Sequence, residues 1–501
     1  MSLSQLETQV RRDLDAIRYP DNDWVPRRRH RGADVLDVVI VGAGQCGLAA
    51  AFALQRERVH NILLVDAEAP GRQGPWSTFA RMHTLRSPKH FNGPDLDVPS
   101  LTVQSWYEAK YGDEAWRRLH KLPKEDWQAY LLWLTEALEL PVRYCTRVEA
   151  VVPVTPEDGT SRDDLFRLDL VSEGQVADDD SAPRTLWARK VIFATGCEGN
   201  GRWLVPRLIA DGLPSDRYTR VSDSVDFDAL RGRRVAVLGG GASAYDNAAT
   251  ALERGAASVD LFVRRPQVHR VNPHHWTEFS GFLEHFCDLD DAMRWRMMAH
   301  ILPMREPSPP ETFRRATRFD AFTLHLGAAW TSCRMDGDEI VIETAAGEHR
   351  ADHVLVAAGL ATDLSHRREL AQVVDQIARW SDRYQPPPEH QVDGLGEFPY
   401  LGRSFEYVEK VPGGAPFLRH LYNFTGGATL SQGPSGSSIN GMKHAARRIA
   451  SGISHDFFVE DADHFYRQLL AYDVPEMDVP WPPTEARSEA TAEREVESVL
   501  A

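Results

Sequence analysis

Apolar residues in this chain gather in short runs that close on glycine or alanine. VVIV, residues 38–41, leads into Gly42, and VAVL, residues 235–238, leads into Gly239. Two further runs, KVIFATG and DHVLVAAG, close at Gly196 and Gly359. A short continuous apolar run bounded by turn residues predicts a strand buried on both faces, as in a parallel sheet with helices on either side. After Gly42 the stretch LAAAFAL, and after Gly239 the stretch ASAYDNAATALE, have helix-forming composition, and each is followed by another apolar run, ILLV and VDLFV. The pattern strand, glycine turn, helix, strand therefore occurs twice, each time with a small-residue strand end further on, and predicts an α/β fold with an internal duplication.

Other periods fill the spaces between. The spacing predicts a helix from Gln5 to Ile17 and a helical region from Val103 to Ala137, whose Trp106, Tyr107, Trp116, Trp127, Tyr130 and Trp133 are spaced as core residues. Residues 71–101 are rich in Gly, Pro, Arg and His with no clean period, which predicts a long ordered loop, and loops of that length inside a compact domain usually carry function. Short alternating strands are expected between Val142 and Gly196 and again between Glu339 and Gly359. Residues 270–330 read as a helical, Trp- and Met-containing interruption. Past the linker QPPPEH, a strand, a glycine-rich turn and a helix beginning near Ser437 are expected. The acidic tail from Glu476 has the composition of a partly disordered end.

Composition narrows the function. With 501 residues the chain exceeds what one core usually supports. Its net charge of −16 disfavours phosphate backbones and anionic lipid, so neither nucleic acid nor a membrane is an expected partner. The amino terminus lacks the apolar core of a signal peptide and no apolar run approaches a membrane span, which predicts a cytoplasmic protein. The five cysteines, Cys46, Cys145, Cys197, Cys287 and Cys333, form no C-x-x-C pair, so neither a metal site nor a redox dithiol is expected. The cluster Arg27, Arg28, Arg29 and Arg31 reads as a solvated basic arm, with a cofactor phosphate or a neighbouring subunit of a homo-oligomer as the alternatives.

The two glycine turns carry the chemistry. Gly42, Gly44 and Gly47 form G-x-G-x-x-G: the first turns the chain, the second admits a pyrophosphate, the third lets helix and strand pack closely. Asp66 ends the following strand, 24 residues after Gly42, where a carboxylate accepts from an adenosine ribose. Gly239, Gly241 and Ala244 give the G-x-G-x-x-A form, but 25 residues after Gly239 the strand ends in Arg264, followed by Arg265. An arginine there pairs with a 2′-phosphate instead. The first turn is thus read as a site for a dinucleotide with an unphosphorylated ribose, and the second as a site for one that carries a 2′-phosphate.

These features, GAGQCG with Asp66, the GPW of Gly74 to Trp76, GGGASAYDNA, the double arginine and ATG at Gly196, resemble the two-dinucleotide-domain flavoproteins, within them the class B flavin monooxygenases. The loop FARMHTLRSPKHFNGP looks most like a subgroup with FAD-dependent urate hydroxylases and L-aspartate N-monooxygenases. The second strand end reads AAGL rather than ATGY, and the F-x-G-x-x-x-H of Baeyer–Villiger enzymes is absent. The resemblance implies two Rossmann-like domains, the NADPH domain inserted in the FAD domain: an extension at 1–34, FAD-binding parts at 35–215 and 385–475, an NADPH-binding part at 216–384, and a tail at 476–501. It implies that FAD is held at Gly42, Gly44, Gln45, Cys46, Gly47, Asp66, Ala67, Gly74, Pro75, Trp76, Met82, Leu85, Val148, Thr195, Gly196, Leu430 and Ser431. NADPH is placed at Gly239, Gly241, Ala242, Ser243, Ala244, Arg264, Arg265 and Gly359. In the implied cycle NADPH reduces FAD, O2 adds to the flavin as a C4a-(hydro)peroxide, and one oxygen atom passes to a small substrate. No metal is required. Arg81, His83, Arg86, Lys89 and His90 concentrate positive charge in an acidic chain and suit an anionic substrate, or else FAD phosphates and carboxylates. N-hydroxylation of an anionic amine or amino acid is the expectation; hydroxylation of a purine such as urate, or a flavin reductase serving a protein partner, are the alternatives.

Overall fold

The computed structural model describes residues 1–154, 165–173, 184–433 and 438–477. Contacts divide the chain into two compact units, Met1–His455 and Asp456–Ala501. In the second, the described residues include the helix Ala462–Ala471, all of whose side chains are at least partly accessible. The tail expected from Glu476, apart from its first two residues, and the turn residue Ser437 lie outside the described residues.

Among its described residues the first unit has two main sheets, besides a three-stranded antiparallel sheet of Trp330–Asp336, Glu339–Thr344 and Gly347–Ala351 and a two-stranded pair. The larger has Ala33–Val41 at its centre, parallel on one side to Ile62–Val65 and on the other to Thr185–Phe193, with Val39 opposite Leu63 and Val191. Thr185–Phe193 also pairs in parallel with Leu421–Asn423, Val191 facing Leu421, so a strand from late in the chain completes this sheet. The antiparallel strands Thr146–Val154 and Leu165–Ser172 extend it beyond Thr185–Phe193. The apolar runs are buried as their lack of alternation requires: Val38, Val39 and Ile40 have no solvent exposure.

The smaller sheet is wholly parallel, in the order Phe322–Leu326, Ser258–Val263, Arg234–Leu238, His353–Val356, Tyr218–Arg220. The chain crosses from the first sheet along Gly201–Trp203 and returns along Leu360–Thr362, and these two segments pair antiparallel.

Three expectations change in detail. The region from Val103 divides into helices Val103–Tyr111, Asp113–Arg118 and Lys124–Ala137, broken at Gly112, whose φ of +91° a side chain would resist. Residues 270–330 are helical only in part: Ser280–His285, Asp291–Met304 and Pro310–Thr317 are helices, but Phe322–Leu326 is a strand docked on Val259–Val263. Its five residues are too few to show a period, and pairing with an existing sheet decided it. The first two of those helices do not join the nucleotide-binding core. Phe282, Phe286, Trp295 and Met298 form a separate cluster with Trp380, Leu395 and Leu430. The basic segment Arg28–His30 is an edge strand hairpinned onto residues 33–35, and Arg27 and Arg29 pair with Asp23 and Asp34.

Candidate functional site

The helix Gln45–Arg56 starts where Val41 ends, with Gly44 as its amino-terminal cap. Gly42 has φ +106°, and a Cβ on it would meet the Ala194 carbonyl oxygen at 2.5 Å, so this turn presses against the strand end that carries Thr195 and Gly196. A Cβ on Gly47 would lie 1.9 Å from the Gly42 oxygen, whereas one on Gly44 would meet nothing within 4 Å. The middle glycine therefore opens the helix amino terminus to a ligand, and the third closes helix on strand. A helix amino terminus of this kind can receive an anion through its backbone N–H groups and the helix dipole.

Asp66 stands at the end of the adjacent strand. One carboxylate oxygen accepts from Ala43 N at 2.7 Å and the other from Glu68 N at 2.8 Å, which fixes the group and leaves a lone pair on each oxygen. Burial raises its pKa against the lowering effect of those donors. Ala67 beside it is exposed. Thr146 N donates to Asp66 O at 2.8 Å, which brings the strand bearing Val148 alongside. Cys46 is buried and burial pushes its thiol up to about 12, so it packs as an apolar group. Gln45 Oε1 accepts from Trp127 Nε1 at 3.2 Å. The Thr195 hydroxyl is buried, with no hydrogen bond among the described residues, and lies on the side of Gly199, whose Cβ would meet it at 2.2 Å.

The loop from Gly71 to Leu101 is held in place by a residue the sequence reading passed over. Lys124 Nζ donates to the carbonyls of Trp76 and Ala80 at 2.9 and 2.8 Å, and Lys124 N to His83 O. Gly74 has φ +79°, Pro75 and Met82 are half-buried, and Leu85 is buried. The five basic residues do not converge on one point. Arg81 donates to Thr78 O and lies 5.4 Å above the Phe227 ring. Arg86 reaches Asp246 at 3.7 Å, Lys89 donates to Trp116 O across its ring, and His83 and His90 are exposed.

Leu430 and Ser431 are fully buried. The Ser431 hydroxyl accepts from Trp380 Nε1 at 2.9 Å and Leu401 N at 3.1 Å, and its carbonyl from Arg294 at 3.2 Å, so its side chain is committed to the protein. Arg294, stacked over Trp380 and Tyr400, had no signal in the sequence.

The second turn repeats the first. Gly239 has φ +146° and its Cβ would meet the Ala357 oxygen at 2.3 Å; Gly241 caps the helix Ala242–Glu253 and, like Gly44, has nothing within 4 Å of a Cβ. Ala242 and Ala244 are buried and Ser243 exposed, while Gly359, at φ +92°, begins the return crossing. The double arginine separates. Arg264 is exposed, and Arg265 donates to Pro303 O at 2.7 Å and contacts the His269 ring. A cavity of about 230 Å³ beside Gly240 is walled in part by Tyr245, His269, Ser308, Phe313 and Arg314.

Two dinucleotide turns of this construction, one ending in an acid and the other in arginine, define a flavoprotein oxidoreductase with a pyridine-nucleotide domain. Comparison with known proteins agrees. Residues 36–284 match the family model described as pyridine nucleotide-disulphide oxidoreductase. The chain is 42% identical over 487 residues, 97% of its length and 100% of the relative's, to a protein of Xanthomonas campestris pv. campestris described as FAD-dependent urate hydroxylase. The chain belongs to the flavin-dependent monooxygenase family of that relative. Its fold is shared with ornithine hydroxylase from Pseudomonas aeruginosa (TM-score 0.64, 14% identity, covering 84% of this chain and 99% of that one). It is shared equally with the ornithine N-hydroxylase of Kutzneria sp. 744, in a structure with FADred, NADP+ and L-orn (TM-score 0.63, 17% identity, covering 84% and 99%). Among the described residues no helix is long and apolar enough to cross a membrane.

Proposed function

We propose that this protein is an FAD- and NADPH-dependent monooxygenase that hydroxylates a purine such as urate: substrate, O2, NADPH and a proton go to hydroxylated substrate, water and NADP+. The observation that carries the substrate class is the 42% identity to the FAD-dependent urate hydroxylase, which runs through 97% of the chain. The expectation of an anionic substrate, amine or purine alike, rested on five cations in the loop after Trp76, and the choice of an amine on its needing no activation beyond being neutral. That reading is weakened by the partners Arg81, Arg86 and Lys89 have in the protein.

FAD, when bound, would carry the electrons taken from NADPH and supply the oxygen-transfer chemistry. The residues present fit it. Gly44 leaves room for the pyrophosphate at the helix start, Asp66 is fixed to accept from the ribose, and the unpartnered Thr195 hydroxyl offers a polar group at the strand end. Gly241 offers the same opening to the NADPH pyrophosphate, and Arg264 is exposed, with no partner among the described residues, where a 2′-phosphate would lie. The division into FAD-binding parts at 35–215 and 385–475 and an NADPH-binding part at 216–384 is supported by the late strand Leu421–Asn423 in the first sheet and by the paired crossings. The apolar cluster of Phe282, Phe286, Trp380 and Leu430 is buried and would help exclude water if the flavin lies against Leu430 as proposed.

The test is substrate-dependent NADPH oxidation across urate, other purines, ornithine, lysine and aspartate, with product mass measured. The proposal expects stimulation by a purine and a product gaining one oxygen. Stimulation by an amine, with the oxygen on nitrogen, would establish the second reading in its place.

A further inference from the structure

The helix Pro310–Thr317 lies against the helix Ala242–Glu253, Ala316 and Phe313 packing on Tyr245 and its neighbours. From it Arg315 directs a guanidinium that uses every face of its fork. Nε and Nη2 make a two-point contact with Glu253 at 2.9 and 2.6 Å, and Nη2 also reaches Thr250 Oγ1 at 3.0 Å. Nη1 donates to the Arg81 carbonyl at 2.8 Å and approaches Asp246 at 3.4 Å. Asp246 is 2% exposed and takes a second cation from the loop, Arg86 at 3.7 Å, together with the Thr312 hydroxyl at 3.2 Å. One arginine from the second nucleotide-binding half thus grips the backbone of the loop that leaves the first. A buried carboxylate on the helix that begins at the NADPH turn is neutralised jointly by both.

We propose that Arg315, acting with Asp246, is a positioning residue that couples the loop from Thr78 to Arg86 to the NADPH-binding helix. The coupling rests on the proposed NADPH site, and it follows from three facts. Asp246 lies five residues past Gly241, in the second turn of the helix whose amino terminus meets the pyrophosphate. The loop continues from Gly74–Trp76, and the Trp76 ring lies edge-on to Trp127, which donates to Gln45 at the first glycine turn, so displacement of the loop is passed toward the proposed flavin site. Burial works to raise the pKa of Asp246 and the two arginines oppose it, so the loop's position and the charge state of that helix are linked. A lysine at 315 keeps a charge near Glu253 but cannot span Glu253, Asp246 and the Arg81 carbonyl together.

The experiment compares wild type with Arg315→Lys. At saturating NADPH the rate of flavin reduction is expected to fall about tenfold or more, as small misplacement of reacting groups does, with FAD retained and thermal unfolding within a few degrees of wild type. Amide hydrogen exchange in residues 78–86 should be faster in the variant without nucleotide, and NADP+ should protect that segment in wild type only. If Arg315→Lys does not fold, Asp246→Asn makes the same comparison, since it breaks both ion pairs and keeps an oxygen for Thr312. Wild-type reduction and loop exchange in either folded variant would overturn the coupling, and so would failure of both to fold, which would mark a purely structural role. A wild-type flavin that NADPH does not reduce would instead sink the proposed function, while loop exchange without nucleotide would still read the latch.

Discussion

The two adjacent arginines at the end of the strand Ser258–Val263 make different predictions, because the structure gives them different partners. Arg264 is exposed and makes no hydrogen bond or ion pair among the described residues, so its guanidinium is available to a 2′-phosphate. Arg265 already donates to Pro303 O at 2.7 Å and rests against His269. A charge-assisted contact contributes about 1.5–3 kcal/mol, which at about 1.4 kcal/mol per decade is roughly 10- to 100-fold in affinity. Arg264→Ala should therefore raise the KM for NADPH by that factor and leave the KM for NADH and the flavin-reduction limit near wild type. As a surface substitution it should alter stability by no more than about 0.5 kcal/mol. Arg265→Ala should do the reverse, costing stability through the lost bond to Pro303 O with a smaller change in coenzyme preference. The assay is flavin reduction followed by stopped-flow absorbance with each coenzyme at two ionic strengths, since screening weakens an exposed phosphate contact. Unchanged discrimination in Arg264→Ala, or its loss in Arg265→Ala alone, would refute the assignment.

Three further predictions concern two glycines of the first turn and a buried histidine. Gly47→Ala places a methyl 1.9 Å from the Gly42 carbonyl oxygen and should destabilise the fold by about 1–3 kcal/mol as overpacking, read as lowered Tm of the apoprotein; Gly44→Ala, with open space around its Cβ, should fold and lose FAD affinity, and equal FAD binding by it and wild type would contradict the pyrophosphate placement. Burial, then Arg233 and Arg217, hold the His353 pKa down to about 4, so its neutral form stabilises the fold fully above the ordinary value of 6.5, and that contribution is lost as pH falls from 6.5 toward 4; denaturant titration of wild type and His353→Gln should show a shallower acid decline in the variant, and parallel declines would exclude the linkage.

Much of the fold was legible because the determining signals are local. A buried strand, a turn that only glycine can make, and the chemistry of the residue ending the next strand all lie within about thirty residues, and each leaves a mark that needs no partner. Hence both turns, Asp66 and the acid-to-arginine switch at Arg264 were readable, and the strand at Leu421 was expected, though not which sheet it would join. The basic loop was readable as composition only. That Arg86 turns to Asp246, that Lys89 lies on Trp116, and that Lys124 pins the loop from another helix depend on residues 27 to 160 positions away.

The sequence alone determined two dinucleotide-binding units, their opposite charges, and by resemblance the class of chemistry, because backbone conformation and strand-end charge are encoded where they act. Tertiary structure decided which cations are free and which are spent on carboxylates. It also decided that residues 322–326 join a sheet and that the helices around Phe282 and Trp295 cover Leu430, since a five-residue apolar stretch or a lone arginine acquires its role only from the neighbour that packing supplies.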